Sequence, residues 1–281
     1  MAKLKIGIVC CSNGQSLEWK PQNERLTEVL SAMDCRAVFS EHIYAVNGSF
    51  SGTGKERADA LMAFYQDDSI DMICDISGGD IANEILPHLD YDLIAAHPKP
   101  FWGYSDLTTI LNAIYAKTGN VGVLYQLKNL VYKDGEMQQK AFYDTCFSGK
   151  ETLYQFPYTF LQGDQMEGIV VGGNIRCFLK LAGTPYFPEI ENKLFMLEAF
   201  GGEIEQITTY FSQLHQMGAF EKVSGIILGT FTKMEEKQLR PTVYELLRGF
   251  IREDLPVIQT PQIGHGKDSR AIRIGAYRKF I

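Results

Sequence analysis

The chain has 281 residues, of which 45% are hydrophobic and 22% charged, and its formal net charge is −7. That length suits one large domain or two ordinary ones, and that composition excludes an intrinsically disordered chain. The acidic balance argues against a nucleic-acid polymer as partner, because such a partner calls for a basic face.

Lys5 to Cys11 (KIGIVCC) is a continuous apolar run, expected of a strand covered on both faces. It is too short for the apolar core of a secretory leader and no cleavage site follows it. No stretch approaches the roughly 20 apolar residues that span a bilayer. The expectation is a cytoplasmic protein with no membrane partner. The six cysteines, at 10, 11, 35, 74, 146 and 177, form no C-x-x-C pair and no zinc-like cluster. They are expected to be reduced thiols, mostly buried as small hydrophobes.

Ser12-Asn13-Gly14 ends the first run. Residues 24–33 (ERLTEVLSAM) have helical spacing, and 36–39 suit a second strand. The Gly/Ser-rich loop 47–54 leads into an amphipathic helix over 55–65. Residues 71–76 (DMICDI) read as a strand ending at Ser77-Gly78-Gly79-Asp80, and 81–89 carry a weaker helical pattern. Residues 91–96 (YDLIAA) read as another short strand, broken by His97-Pro98-Lys99-Pro100. Leu107 to Ala116 is helical by spacing. Alternating strand and helix predict a doubly wound α/β layer, in which ligands collect at the carboxyl ends of the strands.

Further on, 121–124 suit a strand, 140–150 a helix and 157–168 a connector. Ile169 to Asn174 is a strand running into a Gly-Gly turn, with a helix start at 175–182. Residues 193–200 (KLFMLEAF) and 224–230 (SGIILGT) are buried strands separated by a helix over 204–216. A helix over 241–252, a strand over 256–259 and Gly264-His265-Gly266 complete the order. The expected division is 1–155 and 169–281, joined by a linker at 156–168.

Ser105 lies where a loop turns into a helix N-terminus, beside backbone N–H groups and a helix dipole. A serine nucleophile needs that setting, since its oxyanion must find donors already in place. The alternative is that Ser105 or Asp106 is an N-cap. His265, flanked by glycines after a strand, suits a general base or an ordinary surface turn. His97, in the loop before Ser105, suits the same cleft. Glu198 is a lone carboxylate in an apolar strand. It either orients a histidine or is solvated at the strand end or paired with a lysine. Ser77-Gly78-Gly79 suits an oxyanion hole or a plain turn. Gly52-Thr53-Gly54-Lys55 lacks the upstream glycine of a phosphate loop, and CCSNGQS lacks a dinucleotide fingerprint.

IGIVCCSN (6–13), SGTGKERADALMAFYQDDSIDMICDISGGD (51–80), GYSDLTTIL (103–111), GGNI (172–175), GTPYFPEIENKLFMLEAFGGE (183–203) and IGHG (263–266) occur in this order. With them the chain resembles the L,D-carboxypeptidase family of serine peptidases, which includes microcin C immunity-type peptidases. The resemblance implies a flavodoxin-like N-terminal domain and a smaller C-terminal α/β domain, with the active site between them. It implies Ser105 as nucleophile, Glu198 as triad acid and His265 as base, with Gly79 and Asp106 N–H groups as the oxyanion hole. Substrate contacts are implied at Ser77, Gly78 and Asn174. It also implies a homodimer that needs neither cofactor nor metal.

The implied activity is hydrolysis of an amide bond near a peptide C-terminus, on murein tetrapeptide. The alternatives are cleavage of a peptidyl-nucleotide or related acyl conjugate, or a binding protein that kept the fold without catalysis. A nucleotide- or flavin-binding role rests on the N-terminal pattern alone. Three departures bear on substrate. Ser77 stands where the family often carries arginine, GNVGVLYQLKN replaces a segment ending in Gly-Pro-Met, and Ile175-Arg176-Cys177 stands where Leu-Ser is frequent.

Overall fold

A computed structural model of the chain describes residues 4–133 and 135–281. These residues form two six-stranded sheets. The first part of the chain runs β1 (Leu4–Val9), α1 (Lys20–Ala32), β2 (Cys35–Phe39), α2 (Gly54–Gln66), β3 (Met72–Asp75), α3 (Tyr91–Ala96), β4 (Phe101–Gly103), α4 (Thr108–Thr118), β5 (Gly122–Leu124) and α5 (Gly135–Phe147). Short 3-10 helices cover Ala82–His88 and Ser105–Leu107. The strands lie in the order β2-β1-β3-β4-β5, all parallel. That is the flavodoxin-like order, with its switch point between β1 and β3.

The second part runs β6 (Thr159–Gln162), β7 (Met166–Asn174), α6 (Ile175–Leu179), β8 (Leu194–Ala199), α7 (Ile204–Gln216), α8 (Ala219–Lys222), β9 (Gly225–Phe231), α9 (Thr232–Glu236), α10 (Val243–Leu247), β10 (Val257–Gln259), β11 (Ile272–Ile274) and β12 (Tyr277–Phe280). Strands β7 to β10 are parallel neighbours, with β12 antiparallel at one edge and β6 antiparallel at the other. The architecture is thus two α/β units with parallel-rich sheets.

Three expectations change. Residues 91–96 form a helix, because the Asp90 side chain caps it by accepting from Leu93 N–H at 2.9 Å. The strand that precedes Ser105 is Phe101–Gly103, three buried residues hydrogen-bonded between β3 and β5. The connector at 157–168 carries β6 and the start of β7. Finally, β11 returns to the first sheet, antiparallel to β5, before β12 joins the second.

The two units share a core. One cluster of buried side chains joins Leu107, Ile110 and Leu111 at the start of α4 to Val170, Met196 and Ile258 of the second sheet. Asn112 on α4 clasps β7. Its amide N–H donates to Gly172 C=O at 2.9 Å, and its oxygen accepts from Gly172 N–H at 2.9 Å. Thr108 Oγ1 accepts from Asn174 N–H at 3.0 Å. The helix behind Ser105 is therefore fixed directly to the strand that ends at Asn174.

Candidate active site

Every residue of the site lies at the carboxyl end of a strand, where parallel α/β sheets place ligands. In the first sheet β3 leads to Ser77-Gly78-Gly79 and β4 to Tyr104-Ser105-Asp106. In the second, Asn174 ends β7, Glu198 lies next to the end of β8 and His265 follows β10. The units face each other across these ends.

Ser105 has φ +54°, a left-handed backbone that non-glycine residues rarely adopt. The sharp turn from β4 directs its hydroxyl across the cleft, where Oγ lies 3.2 Å from His265 Nε2. His265 Nδ1 lies 2.8 Å from Glu198 Oε2. Glu198 is fully buried and takes Asn174 Nδ2–H on its other oxygen at 2.9 Å. Asn174 and Glu198 are register partners on adjacent parallel strands, so the sheet itself sets that contact. Neither solvation nor a lysine supports Glu198; its partners are His265, Asn174 and Tyr104. Neither Ser105 nor Asp106 acts as a side-chain cap for the helix that follows.

Tyr104 is a participant that the sequence did not reveal. Its hydroxyl donates to Glu198 Oε2 at 3.4 Å, and its ring packs edge-on to His265 with centroids 4.7 Å apart. Burial, reinforced by Glu198, pushes its phenol well above the usual range, so it stays a neutral donor. Phe200 covers another face of the imidazole at 4.9 Å, while remaining 59% exposed at the cleft mouth.

Gly79 has φ +124°, and a Cβ there would lie 2.2 Å from the Asn13 side chain. Glycine thus lets the strand-end backbone turn toward the cleft. Asp106 stands in the first turn of a helix, where N–H groups lack an intrahelical acceptor. A Cβ at Gly264 would lie 1.7 Å from Thr230 Oγ1, so the close pass that positions His265 requires glycine.

The Asp106 carboxylate is a buried tie. It accepts from Ser12 Oγ at 2.6 Å, Ala82 N–H at 2.8 Å and Lys180 Nζ at 2.5 Å. Ser77 does not face the cleft. It is 2% exposed, and its hydroxyl donates to Asp75 at 2.5 Å while accepting from Ser12 N–H at 3.0 Å. Burial pushes Asp75 above the usual carboxylate range, partly offset by the donors from Ser77 and Cys11. Gly78 pairs through its carbonyl with Asn13 N–H at 3.1 Å. His97 lies away from the cleft, 3.6 Å from Asp68.

The cleft over Ser105 holds about 310 Å³, lined by Gly79, Asp80, Asn174, Arg176, Phe200 and the Gly201-Gly202 loop among others. A larger recess of about 540 Å³ between Leu161, Phe231 and Tyr244 contains none of the converging residues. Among the described residues, no group of three His, Cys, Asp or Glu side chains gathers to hold a metal ion.

The profile of the LD-carboxypeptidase N-terminal domain matches residues 6–126, and that of the LD-carboxypeptidase C-terminal domain matches residues 167–279. The chain belongs to the LD-carboxypeptidase family. A probable murein peptide carboxypeptidase of Bacillus subtilis is 31% identical over 82% of this chain and 75% of that protein. The microcin C7 self-immunity protein MccF of Escherichia coli is 30% identical over 80% of this chain and 75% of that protein. A solved structure of MccF in complex with glutamyl sulfamoyl guanosine superposes with a TM-score of 0.88, covering 99% of this chain and 93% of that one at 24% identity. As an LD-carboxypeptidase family member, the chain is a peptidase homologue, and no helix among its described residues is long and apolar enough to cross a membrane.

Proposed function

We propose that this chain is a serine carboxypeptidase that hydrolyses the amide bond before the last residue of a short peptide, a murein tetrapeptide being the substrate. The observation that carries the reading is the continuous Ser105–His265–Glu198 array, with links of 3.2 Å and 2.8 Å. His265 Nε2 takes the Ser105 proton as Oγ attacks the scissile carbonyl. Glu198 holds Nδ1–H and stabilises the imidazolium that forms. Gly79 and Asp106 N–H groups receive the oxyanion. His265 returns the proton to the leaving amine, and water then releases the acyl group by the same steps in reverse. Asn174 acts through Glu198 rather than on substrate, and Ser77 acts behind the glycine turn.

Residues 1–155 and 169–281 supply the nucleophile and the Glu–His pair respectively, with β11 as a strand exchanged back. The same reading puts the enzyme in the cytoplasm as a homodimer in peptidoglycan recycling.

A second reading has its own observation. Phe200 offers an exposed aromatic face beside His265, suited to stacking a base. With the likeness to MccF, it supports cleavage of a peptidyl-nucleotide by the same machinery. Presenting both substrates and reading products by mass separates the two.

A fluorophosphonate probe tests the shared chemistry. The expected result is one adduct on Ser105 that is lost in His265→Ala. An unlabelled wild-type protein contradicts catalysis and leaves a binding protein of the same fold.

A further inference from the structure

The charged side chains in the cleft wall are Arg176 and Asp80, and they line the same cleft as Ser105. Arg176 Nη2–H donates to the carbonyl of Gly79 at 3.2 Å, the residue whose N–H faces the reacting oxygen in the mechanism above. Its Nη1 pairs with Asp80. The Arg176 side chain is 38% exposed and that of Asp80 63%, an exposure at which ion pairs hold weakly. Asp80 is also held by Lys180, whose Nζ reaches its carbonyl at 2.8 Å and its carboxylate at 3.4 Å. An incoming anion can therefore displace Asp80 from Arg176 without leaving that carboxylate unpaired.

The rest of the wall offers no competing cation. Ser77 is turned inward to Asp75. Gln206 and Tyr210 are neutral, Gln206 Nε2–H donating to the Tyr210 hydroxyl oxygen at 2.8 Å. A planar, singly charged carboxylate matches the guanidinium fork, whereas a doubly charged phosphate meets stronger repulsion from Asp80. The terminal carboxylate of a peptide lies one residue, about 3.8 Å of chain, beyond the bond that is cut. Its anchor must share the nucleophile's cleft, and Arg176 does.

We propose that Arg176 binds the free terminal carboxylate of the departing residue and so restricts cleavage to the last bond of a peptide. This rests on the hydrolase reading above. Asp80 holds the guanidinium in place until substrate arrives.

The experiment compares two tetrapeptides whose last bond joins an L- to a D-residue, one a free acid and the other its C-terminal amide. The wild-type enzyme is expected to favour the free acid in kcat/KM by about 10- to 100-fold, the range of a charge-assisted hydrogen bond. Arg176→Ala is expected to collapse that preference to near unity, chiefly through KM for the acid, and Arg176→Lys to restore part of it. Asp80→Asn removes the competing carboxylate and is expected to lower KM for the free acid. A preference that survives Arg176→Ala overturns the proposal. So does an Arg176→Ala loss that falls equally on acid and amide, the mark of a structural role at Gly79. Wild-type hydrolysis of acid and amide at equal rates overturns the Arg176 assignment and leaves the hydrolase standing. Hydrolysis of neither, with no probe adduct on Ser105, overturns both.

Discussion

Glu198 is buried without exposure, and its value to the site depends on how firmly its donors hold it. Asn174 donates at 2.9 Å from a register-matched strand, whereas Tyr104 donates at 3.4 Å, long for an O–H···O contact. Asn174→Ala is therefore expected to cost more than Tyr104→Phe. Steady-state kinetics should show kcat falling about 10- to 100-fold for the first and about 3- to 10-fold for the second, with KM little changed. The reverse order would contradict the geometry. Ser105, Glu198 and His265 stood out in the sequence as candidates because each breaks its local pattern (a serine at a turn, a carboxylate in an apolar strand, a histidine between glycines), but local pattern left each with a second reading, and only the resemblance to the family joined them; the structure places them within hydrogen-bonding reach of one another. Tyr104 was not legible, because an aromatic beside a buried strand is the commonest core residue and gives no sign of a polar partner. Ser77 looked like a cleft residue from its strand-end position, but its hydroxyl serves the buried Asp75 instead.

At the scale of elements, caps decide more than apolar runs. The segment 91–96 reads as a strand by its apolar content, yet the Asp90 cap makes it a helix. Its six residues are too few for periodicity to distinguish the two. The long amphipathic helix α7, by contrast, has the bounds its spacing implied, Ile204–Gln216. Helix α2 begins with a capping box in which Thr53 and Glu56 serve each other reciprocally. Hydrogen bonds from the Thr53 backbone and hydroxyl hold the Glu56 carboxyl below its ordinary value of 4.5. A depressed carboxyl stabilises the fold above its unfolded pKa, and that stabilisation is lost as pH falls through the folded value. In urea titrations the advantage of wild type over Glu56→Gln is thus expected to be full at about pH 7 and to vanish at about pH 2. An advantage unchanged at the acid end would contradict the assignment.

At the scale of the molecule, the cleft belongs to neither unit alone. The C-terminal segment stitches them, since β11 pairs with β5 of the first sheet and β12 with β7 of the second. Strands of three and four residues so close to the terminus carry too little pattern to announce such a crossing, and it was not legible in the sequence. The Asn112 clasp on Gly172 makes the second junction. Asn112→Ala strands a buried N–H and a C=O, at an expected cost of about 2–4 kcal/mol in denaturant unfolding. Wild-type unfolding is expected to be a single transition, and two separate ones would contradict the shared core. This junction ties the unit that carries Ser105 to the one that carries His265 and Glu198, and so it underlies the proposed chemistry. Nucleophilic attack by Ser105 is tested by the mass of the products from an L,D-tetrapeptide with wild-type protein and Ser105→Ala. Release of the terminal residue by the wild type is expected, at a rate lowered by about 10³-fold or more in a folded Ser105→Ala protein. Release at the wild-type rate by Ser105→Ala would contradict that attack.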